Sequence, residues 1–252
     1  MRALPFEPAP LPTPDAPPAT LPQRDRRLAI LLLLAGVVCV GMGQTVIFSV
    51  LPPLARTLGF AEFQVAMIFG TSALLWAIFA PIWGRRSDRI GRKPMILLGL
   101  SGFVLSTFAF ASMLGLGLEG VVGGVGLYAL IIAARSIYGL IGSANPAAAQ
   151  GYIADRSPPE RRAAALSGFS AAFGVGAMAG PALGGLAAHW GPLAPLYIVV
   201  SLAAVMVVLI WRFLPERNAP LARPDQKRLK ASDARLRPFL ICALGYGLIN
   251  AV

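Results

Sequence analysis

Charge is scarce in this chain of 252 residues: Asp, Glu, Lys and Arg make up 13% of it, while hydrophobic residues make up 56%. Soluble domains carry roughly 25% charged and about 45–50% apolar residues, so a water-soluble globular domain is excluded. Acid is scarcer than base, with 11 Asp and Glu against 22 Lys and Arg. Histidine occurs once and cysteine twice. That is too little for a disulfide framework or for a metal site built on His and Cys. Cys39 and Cys242 both fall in apolar runs and read as small core hydrophobes. A catalytic constellation of nucleophile, base or metal ligands finds no material here, and the sequence is not read as an enzyme or as a cofactor binder.

What the chain has instead is long runs without a charge. Leu28–Ala55, Phe63–Gly84 and Pro94–Leu118 are free of Asp, Glu, Lys and Arg, and Gly120–Asp155 holds a fourth run broken only by Arg135. Ala163–Trp211 is too long for one crossing and carries the turn signal His189-Trp190-Gly191-Pro192. It divides into helices over about 163–188 and 193–211. A bilayer core of about 30 Å takes roughly 20 helical residues, so six segments each cross once. A further apolar run opens at Pro238 and reaches Val252. At about 1.5 Å per residue it covers only roughly 22 Å, and it is expected to be the start of a seventh helix in a chain cut short.

The basic residues orient these segments. Arg24, Arg26 and Arg27 precede the first. Arg85, Arg86, Arg89, Arg92 and Lys93 lie between the second and third, Arg156, Arg161 and Arg162 between the fourth and fifth, and Arg212 to Arg237 follow the sixth. The alternate connections hold Arg56, Glu119 and His189. Lys and Arg gather on the cytoplasmic side of a membrane, so the N-terminus is expected to be cytoplasmic. The net charge of +11 is thereby a topology signal and no mark of nucleic-acid binding. The expected organisation is a disordered Pro-rich cytoplasmic tail over 1–27, a six-helix transmembrane bundle over 28–211, a cytoplasmic linker over 212–237 and the start of a seventh helix over 238–252.

Four patterns carry more than hydropathy. Between the second and third segments the chain reads Gly84-Arg85-Arg86-Ser87-Asp88-Arg89-Ile90-Gly91-Arg92-Lys93-Pro94, one acid among five bases in an expected loop. Glycines at 84 and 91 permit a tight turn and close backbone approach. Arg135 is the one charged residue inside a span, with Gly139 and Gly142 following on the same helical face. A guanidinium in the membrane costs at least about 2.5–3.5 kcal/mol on insertion scales, so it should face the bundle or a wet cavity. In the fifth segment Gly176-x-x-x-Gly180-Pro181-x-x-Gly184-Gly185 aligns small residues every four positions, which lets helices approach closely in lipid. Asp155 to Arg162, between the fourth and fifth segments, mixes both signs of charge.

These patterns resemble the major facilitator superfamily, and the likeness covers about residues 28–252. Gly84, Asp88, Arg89, Gly91, Arg92 and Lys93 match its cytoplasmic loop signature G-x-L-a-D-r-x-G-r-k, with Arg86 standing where Leu is usual. Arg135-x-x-x-Gly139-x-x-Gly142 resembles the helix 4 signature of the superfamily's proton antiporters, with Tyr138 where Gln is common. The glycine pattern at Gly176, Gly180, Pro181, Gly184 and Gly185 resembles the helix 5 antiporter signature of drug-efflux members. The stretch from Gly151 to Arg162 is similar to the matching segment of tetracycline and multidrug exporters.

The resemblance implies an all-α membrane protein: the N-terminal six-helix bundle of a twelve-helix, alternating-access transporter, truncated in helix 7, in a bacterial inner membrane. It implies that Asp88 meets a helix N-terminus of the absent second half as a gating latch, with Asp155 and Arg162 joining that charge network. It implies a role in proton transfer, or in holding an acid, for Arg135, and a place at the interface of the halves for the helix 5 motif. The partners expected are the lipid bilayer, a small amphipathic substrate, the proton as coupling ion and the C-terminal half. Gln44, Phe48, Trp76, Tyr138 and Asn145, polar or aromatic residues within spans, are the expected cavity lining beside Arg135. The expected activity is drug export. The alternative is an importer or uniporter of sugars or organic acids, and a membrane scaffold would account for the helices but not for the ordered motifs. No Asp, Glu or His lies within the six spans, and Gln44 stands in helix 1 where many relatives place an acid. Either the proton-carrying acid lies in the second half, or coupling uses another group.

Overall fold

The computed structural model describes residues 23–215. The expected linker beyond Pro215 and the expected seventh helix, with Cys242, lie outside the described residues, as does the tail up to Pro22. Among the described residues the structure is helical throughout, and six helices are long and apolar enough to cross a membrane. Helix 1 runs over Gln23–Thr57, helix 2 over Glu62–Ile90 and helix 3 over Arg92–Leu118. Helix 4 occupies Gly124–Asp155, helix 5 Arg162–Ala187 and helix 6 Ala194–Phe213. The turn read at His189–Pro192 is present, as a short 3-10 segment Ala188–Trp190 closed by Gly191 at φ 127°.

Helix 1 packs mainly on helix 5 and also on helix 6, helix 3 lies against helices 4 and 6, and helix 2 covers helix 4. Small residues permit these approaches. A Cβ on Gly99 of helix 3 would collide with the backbone of Asn145, and one on Gly41 would meet the carbonyl of Phe173. The core runs through Phe103, Phe110, Ile131, Leu51 and Val199, all nearly inaccessible. The outward surface is equally apolar: Leu74 and Ile78 on helix 2, Met178 and Leu186 on helix 5, and Val205 and Trp211 on helix 6 are exposed. In lipid such a surface needs no polar cover.

The connection between helices 2 and 3 is shorter than the sequence implies. Gly84 to Ile90, read as part of a loop, form the last turns of helix 2. Arg, Ser and Asp are tolerated in a helix once it leaves the hydrocarbon. The break falls on one residue, Gly91, at φ 119°, a conformation that a side chain would strain. Gly84 makes no turn; its missing Cβ faces Ala147 at an ordinary 3.9 Å.

Candidate functional site

Two charged centres stand out, one at the basic end of the bundle and one within helix 4. At the basic end the Gly91 break points helix 3 back so that Arg92 reaches two carboxylates. Its Nη2 lies 2.6 Å from Asp88 Oδ1, four residues back across the Gly91 break, and its Nε donates to Asp155 Oδ2 at 3.0 Å. Nη1 donates to Ser87 Oγ at 3.1 Å. Gly151 supplies the seat, because a Cβ there would run into the Arg92 guanidinium. Arg92, which the motif reading placed among several bases, is thus the hub tying helices 2, 3 and 4 together. Asp155 is paired with Arg92 in this network. Arg162 is held differently, its Nε donating to the Ser157 carbonyl at 3.3 Å. Beside them the Arg156 guanidinium lies 3.5 Å from the Tyr152 ring centroid, and the Tyr152 hydroxyl donates to the Pro215 carbonyl at 3.1 Å. Lys93 and Arg89 belong to the same basic end.

Within helix 4 the α-helix gives way at Tyr138–Gly142 to a wider π turn and resumes at Ala144–Asp155. Pro146 has no N–H to offer to the preceding turn, and the glycines at 139 and 142 leave room for the distortion. Side chains of neighbouring helices supply donors to carbonyls around the turn. Ser72 donates to the Arg135 carbonyl at 3.2 Å, Ser106 to Ala134 at 2.7 Å and Trp83 Nε1 to Leu140 at 2.6 Å. Such turns recur at functional sites. Gly139 admits the helix 2 backbone at Ser72, and Gly142 admits the Tyr138 ring.

Arg135 sits immediately before this turn and is 3% exposed. Its Nη2 donates to Gln44 Oε1 on helix 1 at 3.2 Å. The guanidinium carbon lies 5.0 Å from the Tyr138 ring centroid and 5.8 Å from that of Phe110. Nε and Nη1 are buried without a hydrogen-bond partner, and no carboxylate among the described residues pairs with the group. Of the expected cavity residues, Gln44, Tyr138 and Trp76 are brought together around it, the Trp76 ring lying 5.0 Å from that of Tyr138. Phe48, one turn beyond Gln44, is 55% exposed and stacks on Phe69 at 4.3 Å. Asn145 turns away, buried where helix 4 touches Gly99.

The glycine ridge of helix 5 faces helix 1. A Cβ on Gly176 would strike the Val38 carbonyl, and one on Gly180 the Thr45 hydroxyl and the Met42 carbonyl. Gly184 lies over Ser49. Pro181 and Gly185 fall on the exposed side of the helix. The motif therefore has two faces, one closing helix 5 onto helix 1 and one left open.

These features now have a family to belong to. The model of the Major Facilitator Superfamily matches residues 33–252. The chain belongs to that superfamily. It is an integral membrane protein of the superfamily's fold. It is 33% identical over 197 residues to the class D tetracycline resistance protein of Salmonella ordonez, covering 75% of this chain and 46% of that protein. With multidrug resistance protein 1 of Bacillus subtilis (strain 168) it shares 27% over 208 residues, 81% of this chain and 49% of the relative. Among solved structures the human organic anion transporter MFSD10 (TETRAN) superposes with a TM-score of 0.64 at 24% identity, over 86% of this chain and 53% of its own. The chain spans about half the length of the curated relatives it matches.

Neither the π turn nor the sharing of Arg92 was legible from the superfamily motifs. The nearest sequence signal for the first was Pro146 closely following two glycines. For the second it was Gly151, placed where a basic side chain needs room.

Proposed function

We propose that this chain is the N-terminal half of a secondary active transporter that exports small amphipathic compounds by alternating access, with its N-terminus in the cytoplasm and the proton as coupling ion. The observation that carries the reading is the helix 5 glycine motif. Its Gly176 and Gly180 leave no room for a side chain against helix 1, on a chain whose relatives are named for tetracycline and multidrug resistance. A transporter that exchanges substrate for protons must close one path while the other opens, and close glycine contacts give a tight yet sliding seam. In this reading the Asp88–Arg92–Asp155 network is the latch at the cytoplasmic side, released and reformed as the halves rock. The acid that carries the proton belongs, in this reading, to the second half, since Glu62, Asp88 and Asp155 stand at or near the ends of the described spans and none lies between. Gln44, Tyr138, Trp76 and Phe48 line the path on this side of the cavity.

The test is transport by the full-length protein in everted membrane vesicles. Imposing an acidic interior should drive accumulation of tetracycline, or of members of a panel of amphipathic dyes, and a protonophore should abolish it. Accumulation that ignores the protonophore would remove proton coupling. No accumulation of any compound would remove export.

A further inference from the structure

The mechanism above leaves a buried cation unexplained. Arg135 is held by one neutral amide, while its Nε and Nη1 protons meet no acceptor. A charge in a low-dielectric interior is costly unless it is paired, and its nearest neighbours supply two rings and an amide in place of a counter-ion. Thr107, three residues before Phe110 on helix 3, also has a buried hydroxyl without a partner.

We propose that Arg135 is the recognition point for the carboxylate of an amphipathic, monoanionic aromatic substrate. The inference rests on the exporter reading and names its substrate class. Three observations choose that class. First, the charge needs an anion, and a water molecule would satisfy the N–H groups without neutralising it. Second, among the described residues the other Lys and Arg lie toward the ends of the spans and none accompanies Arg135 within them, so a monoanion balances the site whereas a phosphate dianion would leave it negative. Third, Phe110, Tyr138 and, behind Tyr138, Trp76 offer flat apolar surfaces to an aromatic body. A lipophilic cation would meet Coulomb repulsion at the same place.

Gln44 is the access group. It is half-buried, bonded to Arg135 on one side and one turn from the exposed Phe48 on the other. A carboxylate displaces it readily, because a charge-assisted hydrogen bond is roughly twice as strong as a neutral one.

Three probes with one fluorophore test this on the full-length protein in detergent: dansylglycine, an anion; its methyl ester, neutral; and dansylcadaverine, a cation. Fluorescence titration should show dansylglycine binding at least tenfold more tightly than either of the others. Arg135→Gln should weaken dansylglycine tenfold or more, erase its advantage over the ester and leave dansylcadaverine unchanged or tighter. Arg135→Lys should keep part of the preference. Equal binding of anion and ester by the wild type, a preference for the cation, or no binding of dansylglycine would each overturn the proposal, and none of these needs a variant that folds. If Arg135 instead holds an acidic side chain of the second half, the wild type will show no anion preference. Binding is read without a gradient. A failure of the vesicle transport assay would thus remove the export reading while leaving the anion preference standing, and the reverse also holds.

Discussion

At the basic end of the bundle Arg92 is shared by two carboxylates, while in the middle of helix 4 Arg135 has an amide and two aromatic rings. The first centre stands at the edge of the hydrocarbon, with Asp88 43% and Arg92 15% exposed. There, water lowers the cost of holding charges, and pairing ties three helices together. The second centre is almost sealed, and by the usual rule it should have the stronger need for a counter-ion. That it lacks one among the described residues indicates a division of labour. The paired centre holds the bundle, and the unpaired one is kept open for a visitor.

The largest expected effect on stability comes from breaking the paired centre. Arg92→Leu removes the cation that the Asp88 and Asp155 carboxylates share, at a site where Asp155 is only 16% exposed. It should cost about 2 kcal/mol, less than the loss of a fully buried pair because the site is partly wet. A thermal-unfolding series on the full-length protein in detergent measures this. An unchanged midpoint would show that the hub contributes nothing to the bundle.

The contrast between the two centres also marks where the sequence was readable. The six crossings were legible because a charge-free run of bilayer length admits few other readings, and the turn at His189–Pro192 because a Gly-Pro pair interrupts one such run. Arg135 was legible as the lone charge in a span. Gln44 was legible as a polar residue of the cavity beside it, but not as its hydrogen-bond partner. A helix apolar on all sides carries no polar stripe to reveal which face meets a neighbour, so only small residues leave a trace. That trace worked for Gly176 and Gly180, whose spacing foretold a close approach. It did not tell which helix they approach, and the structure makes that helix 1. Residues 84–90 were misread as loop for the opposite reason. Charges end a membrane span, but they do not end a helix.

Gln44→Glu sharpens the comparison by giving Arg135 the counter-ion it lacks. The desolvation of Arg135 is already part of the fold, and Gln44 is only half-buried. The new carboxylate should therefore stabilise the protein, by about 1 kcal/mol. The same change should weaken dansylglycine binding at least tenfold, because the internal carboxylate competes for the guanidinium. A more stable protein with undiminished dansylglycine affinity would separate the free donors from recognition. A destabilised one would show that the pocket is shaped for an amide and does not accept internal charge.

The smallest effects on stability distinguish the two partners of Arg92. Asp155→Asn removes the charge of the more buried carboxylate, on another helix, and should cost about 1 kcal/mol. Asp88→Asn removes that of an exposed carboxylate four residues away on the chain, a kind of pair worth about 0.5 kcal/mol or less and weakened further by salt. Raising the salt from low to molar concentration should accordingly shrink the Asp88→Asn effect toward zero while leaving most of the Asp155→Asn effect in place. Transport should order the two differently. Asp88 is the exposed member, the one placed to act as the proposed latch, so Asp88→Asn should impair accumulation of whichever compound the vesicle assay finds transported, in full-length protein that inserts and unfolds normally. If Asp155→Asn impairs transport only in proportion to its loss of stability while Asp88→Asn impairs it with almost none, the hub has one carboxylate for holding and one for switching. If Asp88→Asn transports normally, both carboxylates serve the bundle alone, and the latch must be sought elsewhere among the basic residues of this end.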